Sequence, residues 1–298
     1  MKKFLTLLEE DEKLLLHLHQ HVYLSREFIE KHIYSRKKKD AETDEEKVVK
    51  AHEISVFRRL SQLVKAGYIT KFPLPITPGS GRPSNVYTLA QFGVDTVEDM
   101  TGIVHWQKKW CYEPQIWYMH ALALADVVKS FEVNAPPGTM KVKQFISEAK
   151  GHFQYYEKDG IKNVRHVIRP DGILIIGHPD TEEKNMGIMV EMERTYADKT
   201  GTIRKLNQYN HFFGGAGTEK YKNRMEKFDR EAGVEYPVKE WRILFVGDTE
   251  SIGNRILNQL KGLSSIAPLR TASKEDLLEN PYRKVYRRLT SPDELNGL

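Results

Sequence analysis

The stretch that decides the fold is RPDGILIIGHPDTEEKNMGIMVEMERTYADKTGTIRKLNQY, residues 169–209. It contains two apolar runs, and the second, Gly187–Glu193, predicts a strand that ends in alternating acids. Side chains in a strand alternate between its two faces, so Glu191 and Glu193 point to one side. Asp171 starts the preceding apolar run and reaches the same side if the two strands pair. The pattern predicts three carboxylates at one end of a small sheet.

Carboxylates held this close repel one another unless a cation lies between them. Oxygen ligands of this kind suit a divalent ion such as Mg²⁺, with Mn²⁺ as a second candidate. Glu148, at the end of an earlier predicted strand, adds a carboxylate, so the predicted metal ligands are Asp171, Glu191 and Glu148. The alternative is that these acids are solvated side chains at strand ends, since short motifs also occur by chance.

Composition and length bound the class of protein. The chain has 298 residues, of which 40% are apolar and 29% are charged, as is typical of a globular protein with a core. The length favours two domains, and we place their boundary between residues 104 and 105. A net charge of +5 and a pI near 9.0 are compatible with a polyanionic partner without establishing one.

Cysteine usage and hydropathy predict the compartment. The single cysteine, Cys111, excludes an internal disulfide and fits a reducing compartment. The apolar runs are too short to span a membrane, and four acids at residues 9–12 interrupt any signal-peptide core. We therefore expect a cytoplasmic protein with no membrane partner.

The N-terminal part predicts a winged helix-turn-helix. Its expected elements are helices at Glu9–His19, after Ser25 and at Glu53–Ala66, then strands at Tyr68–Phe72 and Asn85–Leu89 around the Pro- and Gly-rich loop Pro73–Ser84. In such domains the third helix enters the DNA major groove and the loop between the strands contacts the backbone. The alternative is a winged helix that serves only for protein docking. The charged insert Arg36–Lys47 is expected to be mobile.

Two stripes of the third helix set the predicted DNA contacts. An apolar stripe is assigned to Ile54, Phe57, Leu60 and Val64, which leaves polar side chains on the other face. With the basic residues of the first strand and of the loop, the predicted DNA-binding residues are Ser55, Arg58, Arg59, Gln62, Lys71 and Arg82.

The C-terminal part predicts an αβββαβ core. The expected elements, after the connector Trp106–Tyr112, are a helix at Gln115–Phe131, strands at Lys141–Ser147, Val167–Ile176 and Gly187–Glu193, a helix at Lys199–Phe212, a strand at Trp241–Val246 and a helix at Ser251–Leu260. The fold class expected for the whole chain is therefore α+β, a winged helix followed by a restriction-endonuclease-like domain.

This order and its acids resemble the PD-(D/E)xK nuclease superfamily. Pro170-Asp171 resembles the Pro-Asp of that superfamily, and Glu191-Met192-Glu193 resembles its Glu-x-Lys, with Glu193 where the lysine is expected. A carboxylate cannot stabilise developing negative charge as a lysine does. Lys205 is our substitute candidate, because it lies four residues before Tyr209 on one face of the next helix. The predicted catalytic residues are Asp171, Glu191, Glu193, Lys205 and Tyr209.

The whole combination resembles the replication-relaxation family of plasmid-encoded proteins from Gram-positive bacteria. The matching pieces, which extend from about Glu9 to Leu260, are RRLSQLVKAGYITK, GRPSNVYTLAQFG, WYMHALALADV, RPDGILII and VEMERTYADKTGTIRKLNQY. The resemblance implies a plasmid replication or relaxation role through binding double-stranded DNA at an origin, and a homodimer is compatible with it. The leading hypothesis is therefore a Mg²⁺-dependent nuclease or nickase, in which Asp171, Glu191 and a carbonyl near Met192 hold the ion and Lys205 orients the phosphate.

Two other functions remain open. The missing strand lysine favours a non-enzymatic origin-binding initiator or transcriptional regulator with a degenerate nuclease-like domain, whereas the intact Asp171 and Glu191 pair favours the enzyme. Relaxase chemistry through Tyr196 or Tyr209 ranks lowest, because the two-histidine metal set of that chemistry is not visible. The histidines near the N-terminus have no partnered ligands, so no zinc site is predicted.

Overall fold

A computed structural model describes residues 5–35, 45–74, 85–102, 104–159, 162–182, 184–194 and 198–298. The chain divides into two compact units, Met1–Leu122 and Ala123–Leu298, whereas the sequence placed a domain boundary between residues 104 and 105. Helices and sheets occur in both units, so the expected mixed α+β class is confirmed. No helix in the described ranges is both long and apolar enough to cross a bilayer.

The first unit combines helices with a three-stranded antiparallel sheet of order β1-β3-β2. Its elements are α1 (Glu9–His21), β1 (Leu24–Ser25), α2 (Arg26–His32), α3 (Glu45–Ala66), β2 (Ile69–Pro73), β3 (Asn85–Leu89) and α4 (Gln91–Thr101). Ser25 caps α2 as expected, since its hydroxyl accepts a hydrogen bond from the Phe28 amide at 3.0 Å. Helix α4 was not predicted. Residues 36–44 of the insert lie outside the described ranges.

The predicted apolar stripe of α3 is wrong in two positions. Ile54 and Phe57 are 44% and 42% exposed, whereas Val56, Leu60 and Leu63 are buried. Both sets satisfy the spacing of three to four residues that defines a helix face, so periodicity alone could not choose between them. The true buried stripe follows from the packing of α3 in the unit, and it leaves Ile54 and Phe57 exposed.

The second unit is built on a seven-stranded sheet of order β12-β11-β10-β9-β8-β7-β4, with a separate hairpin of β5 and β6. Its elements are α5 (Tyr118–Val133), β4 (Lys141–Ser147), β5 (Phe153–Asp159), β6 (Lys162–Ile168), β7 (Gly172–Gly177), β8 (Asn185–Glu193), α6 (Lys199–Phe213), α7 (Glu219–Ala232), β9 (Val238–Gly247), α8 (Glu250–Leu260), β10 (Leu269–Ser273), α9 (Lys274–Glu279), β11 (Tyr286–Arg288) and β12 (Leu295–Asn296).

The centre of this sheet has the expected element order. Strands β4, β7 and β8 pair antiparallel in sequence order, and β8 then pairs with β9 in parallel after the crossover through α6. The single strand predicted at Val167–Ile176 is wrong, because it is the end of β6 and most of β7, which belong to different sheets. Pro170 lies between them, and a proline cannot donate to a strand ladder. The β5–β6 hairpin, α7 and strands β10 to β12 were not predicted.

Each face of the sheet carries its own core. One face packs on α6, α7 and α8 through residues such as Met189, Phe212 and Ile256. The other packs on α5 and α9 through residues such as Val127, Val190 and Leu277. The adjacent residues Met189 and Val190 point to opposite faces of the sheet and belong to different cores, so β8 is buried on both faces. Any polar group on β8 is therefore held inside the protein.

Candidate functional site

Asp171 lies at the point where β7 begins beside β8. Gly172 is the register partner of Val190, and the Asp171 amide donates to the Val190 carbonyl at 2.9 Å. The Asp171 carboxylate in turn accepts a hydrogen bond from the Met192 amide, with Oδ2 2.6 Å from the nitrogen. These two bonds fix Asp171 next to the acidic end of β8, as the sequence predicted.

Glu191 is the buried centre of the cluster, with 2% of its surface exposed. Its Oε2 lies 2.7 Å from Nζ of Lys205, and its Oε1 accepts a hydrogen bond from the Tyr209 hydroxyl. Burial raises the pKa of Glu191 to about 7, the Asp171 charge adds to the rise, and Lys205 and Tyr209 oppose it. Glu191 therefore exchanges a proton near neutral pH.

Lys205 joins the two acids of β8. Its Nζ is 2.9 Å from Oε1 of Glu193 as well as bonded to Glu191. Burial alone would lower the pKa of Lys205, but the carboxylates of Glu191, Asp171 and Glu193 raise it above its usual value. The ammonium thus stays charged, and it bridges the carboxylates of Glu191 and Glu193.

Tyr209 is a buried hydrogen-bond donor. Burial and the neighbouring Glu191 carboxylate raise its pKa well above the usual value, so it remains a phenol. A buried phenol that donates to Glu191 is suited to orient that carboxylate and is poorly suited to attack a phosphate. This geometry disfavours Tyr209 as a covalent nucleophile. Tyr196, the other tyrosine considered, lies outside the described residues.

The predicted carboxylate set does not converge as a group of three. Glu148 pairs with Arg169, whose Nη2 is 2.7 Å from Glu148 Oε1. Among the described residues, only Glu157, His166 and His211 bring three ligand-type atoms within 4.8 Å of one another. Asp171 and Glu191 still fit a hard divalent ion in donor chemistry, since both offer carboxylate oxygens at one end of β7 and β8. Glu148 fits less well, because Arg169 already neutralises it.

The His166 and His211 cluster has no counterpart in the sequence analysis. The two rings stack with centroids 3.6 Å apart, and burial together with His211 lowers the pKa of His166. Glu157 faces them but is held by Arg224 at 2.6 Å and Lys220 at 3.1 Å. These two cations already balance the carboxylate, so the cluster does not require a metal. Nothing local in the sequence brings β5, β6 and α6 together here.

The predicted DNA-binding residues of the first unit divide into two groups. Ser55, Arg58, Gln62 and Lys71 are exposed. Arg59 instead bonds to Asp11, which is fully buried, and to the Thr6 carbonyl at 2.7 Å. This pairing favours a structural role for Arg59 over the predicted phosphate contact. Arg82 lies outside the described residues.

The raised pKa of Glu191 has a consequence for stability. Its folded pKa of about 7 exceeds the ordinary 4.5, so the contribution of its protonated form is complete below pH about 4.5 and is lost as the pH rises through about 7. We expect the free energy of unfolding to fall over this window in the wild type, and to fall less in Glu191→Gln. Urea unfolding at pH 5 to 8 measures both slopes, and equal slopes would contradict the buried ionisation.

Comparisons with known proteins give only weak similarity. No protein-family model matches the chain, and no curated protein matches its sequence. The structure of restriction endonuclease FokI is 14% identical, with a TM-score of 0.28, over 92% of this chain and 44% of that chain. FokI bound to DNA is 13% identical, with a TM-score of 0.27, over 90% and 43%. The chain thus spans less than half of the FokI length, and TM-scores this low do not establish a shared fold.

Proposed function

We propose that the protein binds double-stranded DNA through its first unit and cleaves a DNA strand with its second unit in a Mg²⁺-dependent reaction. The observation that carries the proposal is the buried cluster of Asp171, Glu191 and Lys205 at the end of β7 and β8. The αβββαβ order around this cluster supports a PD-(D/E)xK nuclease-like domain. The resemblance of the sequence motifs to replication-relaxation proteins supports a plasmid origin as the DNA.

The side chains divide the chemistry of phosphodiester hydrolysis between them. Water attacks phosphorus, the bond to the leaving sugar oxygen breaks, and that oxygen takes up a proton. The proton of the attacking water passes to solvent, because both oxygens of Glu191 are engaged, one by Lys205 and one by Tyr209. Lys205 stabilises the charge that develops on the phosphate, and Glu193 positions its ammonium. Held by Asp171 and Glu191, Mg²⁺ would supply Lewis-acid stabilisation and lower the pKa of a bound water.

The outer face of α6 offers a path for DNA beside this cluster. An open groove of about 500 Å³ runs along it, lined by His166, Thr200, Ile203, Arg204, Asn207, Gln208 and His211. Hydroxyl, amide and guanidinium groups are the side chains that contact phosphate and sugar. The same helix thus directs Lys205 toward β8 and places Arg204, Asn207 and Gln208 in the groove, and these polar side chains support a nucleic acid substrate.

The first unit supports DNA binding through α3 and β2. The presence of helices α1 to α3 and of the β1-β3-β2 sheet supports the winged-helix interpretation, and Ser55, Arg58 and Gln62 are exposed on α3. Arg58 has no ion-pair partner among the described residues. It is therefore able to contact phosphate without breaking an existing bond.

A regulator without catalytic activity is the second candidate. The observation that favours it is the engagement of Lys205 by Glu191 and Glu193. This ammonium already balances part of the acidic charge, so the cluster can be stable without a metal. In that case the second unit would serve for assembly on DNA.

Metal uptake separates these two functions. We expect Mn²⁺, titrated calorimetrically in the presence of duplex DNA, to bind the wild type and to bind Asp171→Asn at least tenfold more weakly, since a charged ligand is lost. Glu148→Gln is the matched control and should bind normally, because Arg169 holds that carboxylate. Absence of Mn²⁺ uptake by the wild type would favour the regulator.

DNA affinity tests the first unit. We expect Arg58→Ala to weaken duplex binding and to flatten its salt dependence by about one unit of slope for the lost phosphate contact. Lys13→Ala on α1, an exposed lysine paired with Glu9, is the control and should bind like the wild type. Gel-shift titrations over a salt series measure both effects. An unchanged slope in Arg58→Ala would exclude this face of α3.

A further inference from the structure

Three arginines lie side by side on neighbouring strands of the large sheet. Arg270 on β10 is the direct register partner of Arg288 on β11. Arg270 also pairs with Leu244 on β9, and Arg242 lies two residues before Leu244 on the same face. The three arginines therefore share one face across β9, β10 and β11, and we call them the arginine row.

The arginine row is short of negative charge. Glu240 approaches Arg242, with its Oε1 2.8 Å from Nε. Within the described ranges, no carboxylate comes within ion-pair distance of Arg270 or Arg288. Burial lowers the pKa of Arg270, and the charges of Arg288 and Arg242 lower it further against the opposing effect of Glu240. Like charges directly opposite on paired strands destabilise a sheet.

The same side chains have buried donors without partners. Nη1 of Arg242, Nε of Arg270 and Nε of Arg288 are buried and have no hydrogen-bond partner within the described part of the chain. A buried donor left unpaired costs about 1–3 kcal/mol. Uncompensated positive charge and unpaired donors on three adjacent strands together lower the stability of the folded protein.

We propose that the arginine row binds a phosphate group, supplied either by inorganic phosphate or by a nucleic acid backbone. Planar guanidinium groups bind phosphate oxygens through paired N–H donors. Three guanidinium charges and one carboxylate leave an excess that a phosphate dianion neutralises. The anion also gives acceptors to the unpaired Nε and Nη1 groups.

The row is a different site from the acidic cluster. Glu193 is the register partner of Gly247 at the far end of β9, and Arg242 lies five residues earlier, about 16 Å along the strand. The arginines also lie on the face that carries Leu244, Ala272 and Tyr286, whereas Glu191 and Glu193 share the face of Met189. The phosphate proposal therefore does not depend on the proposed nuclease activity.

Thermal unfolding in phosphate tests the proposal. At matched ionic strength, phosphate should raise the Tm of the wild type above its value in chloride, and it should not do so in Arg270→Gln. In chloride alone, Arg270→Gln should be at least as stable as the wild type, because it removes like-charge repulsion. Arg288→Lys keeps the charge but loses the planar fork, so it should retain only part of the phosphate effect.

The control and the DNA titration complete the experiment. Arg283→Gln removes an exposed arginine that pairs with Glu279, and it should respond to phosphate like the wild type. If the ligand is a nucleic acid backbone, Arg270→Gln should also flatten the salt dependence of duplex binding by about one unit of slope for each lost contact. If phosphate raises the Tm of the wild type but Arg270→Gln keeps the salt dependence of duplex binding, the ligand is free phosphate. Equal Tm values in phosphate and chloride, with unchanged duplex binding in Arg270→Gln, would overturn the proposal.

Discussion

Lys205→Ala should lower the rate of DNA nicking by about two to three orders of magnitude, the usual loss when one charge-stabilising donor is removed. Lys205 is the cation at this cluster, with its Nζ 2.7 Å from Glu191 Oε2 and 2.9 Å from Glu193 Oε1. Single-turnover conversion of supercoiled plasmid to open circle measures the rate. Duplex affinity should stay close to normal, because Lys205 faces the buried carboxylates of β8 and is neither in the groove of α6 nor among the proposed contacts of the first unit.

A matched control and a rescue separate chemistry from folding. Lys199→Ala removes an exposed lysine from the same helix and should nick at the wild-type rate. Glu193→Lys, combined with Lys205→Ala, returns a cation to the acidic end of β8 and should recover part of the activity. Wild-type nicking by Lys205→Ala would eliminate its catalytic role. A folded double variant with no recovery would show that Lys205 acts through structure.

Arg59→Ala should destabilise the first unit by about 3 kcal/mol, because removing one partner of a buried ion pair leaves the other charge uncompensated. Asp11 is fully buried, and its pKa is lowered against the effect of burial by hydrogen bonds from Arg59, Tyr34 and the Leu8 amide. Loss of the Arg59 guanidinium removes the only one of these donors that carries a full positive charge. Urea unfolding of the full chain, followed by helical circular dichroism, measures the change.

Arg58→Ala is the internal control for this effect. It lies one residue away on α3 but is exposed, so we expect a change in stability within about 0.5 kcal/mol together with weaker DNA binding. Arg59→Ala should show the reverse: lower stability, and normal DNA affinity when the affinity is measured on the folded fraction. If Arg59→Ala is as stable as Arg58→Ala, the Asp11 pair does not stabilise the fold.

The core strands and the acidic cluster could be read from the sequence because their signals are local. Strand β4 and helix α6 begin where predicted, since apolar runs and helical periodicity mark them directly. The helix spacing also placed Lys205 and Tyr209 on one face, and both bond to Glu191. These inferences needed only alternation in a strand and a repeat of three to four residues in a helix.

The remaining features depend on contacts distant in sequence. The choice between Ile54 and Phe57, which were predicted, and Val56 and Leu63, which are buried, depends on the packing of α3, because both pairs fit a helical repeat that includes Leu60. The pairing of Arg59 with Asp11 joins residues 48 positions apart. The arginine row likewise arises from strand order, because Arg242, Arg270 and Arg288 become neighbours only after β9, β10 and β11 pair. Local sequence patterns do not predict such pairings between distant residues.

Incubation of the purified protein with supercoiled plasmid DNA tests the central claim most directly. We predict open circles in the presence of Mg²⁺, none in the presence of a chelator, and none with Asp171→Asn under either condition. Gel shifts on the same samples show that the DNA is bound in each case. Bound plasmid that remains supercoiled with the wild type in Mg²⁺ would contradict the nuclease and identify the protein as a DNA-binding regulator.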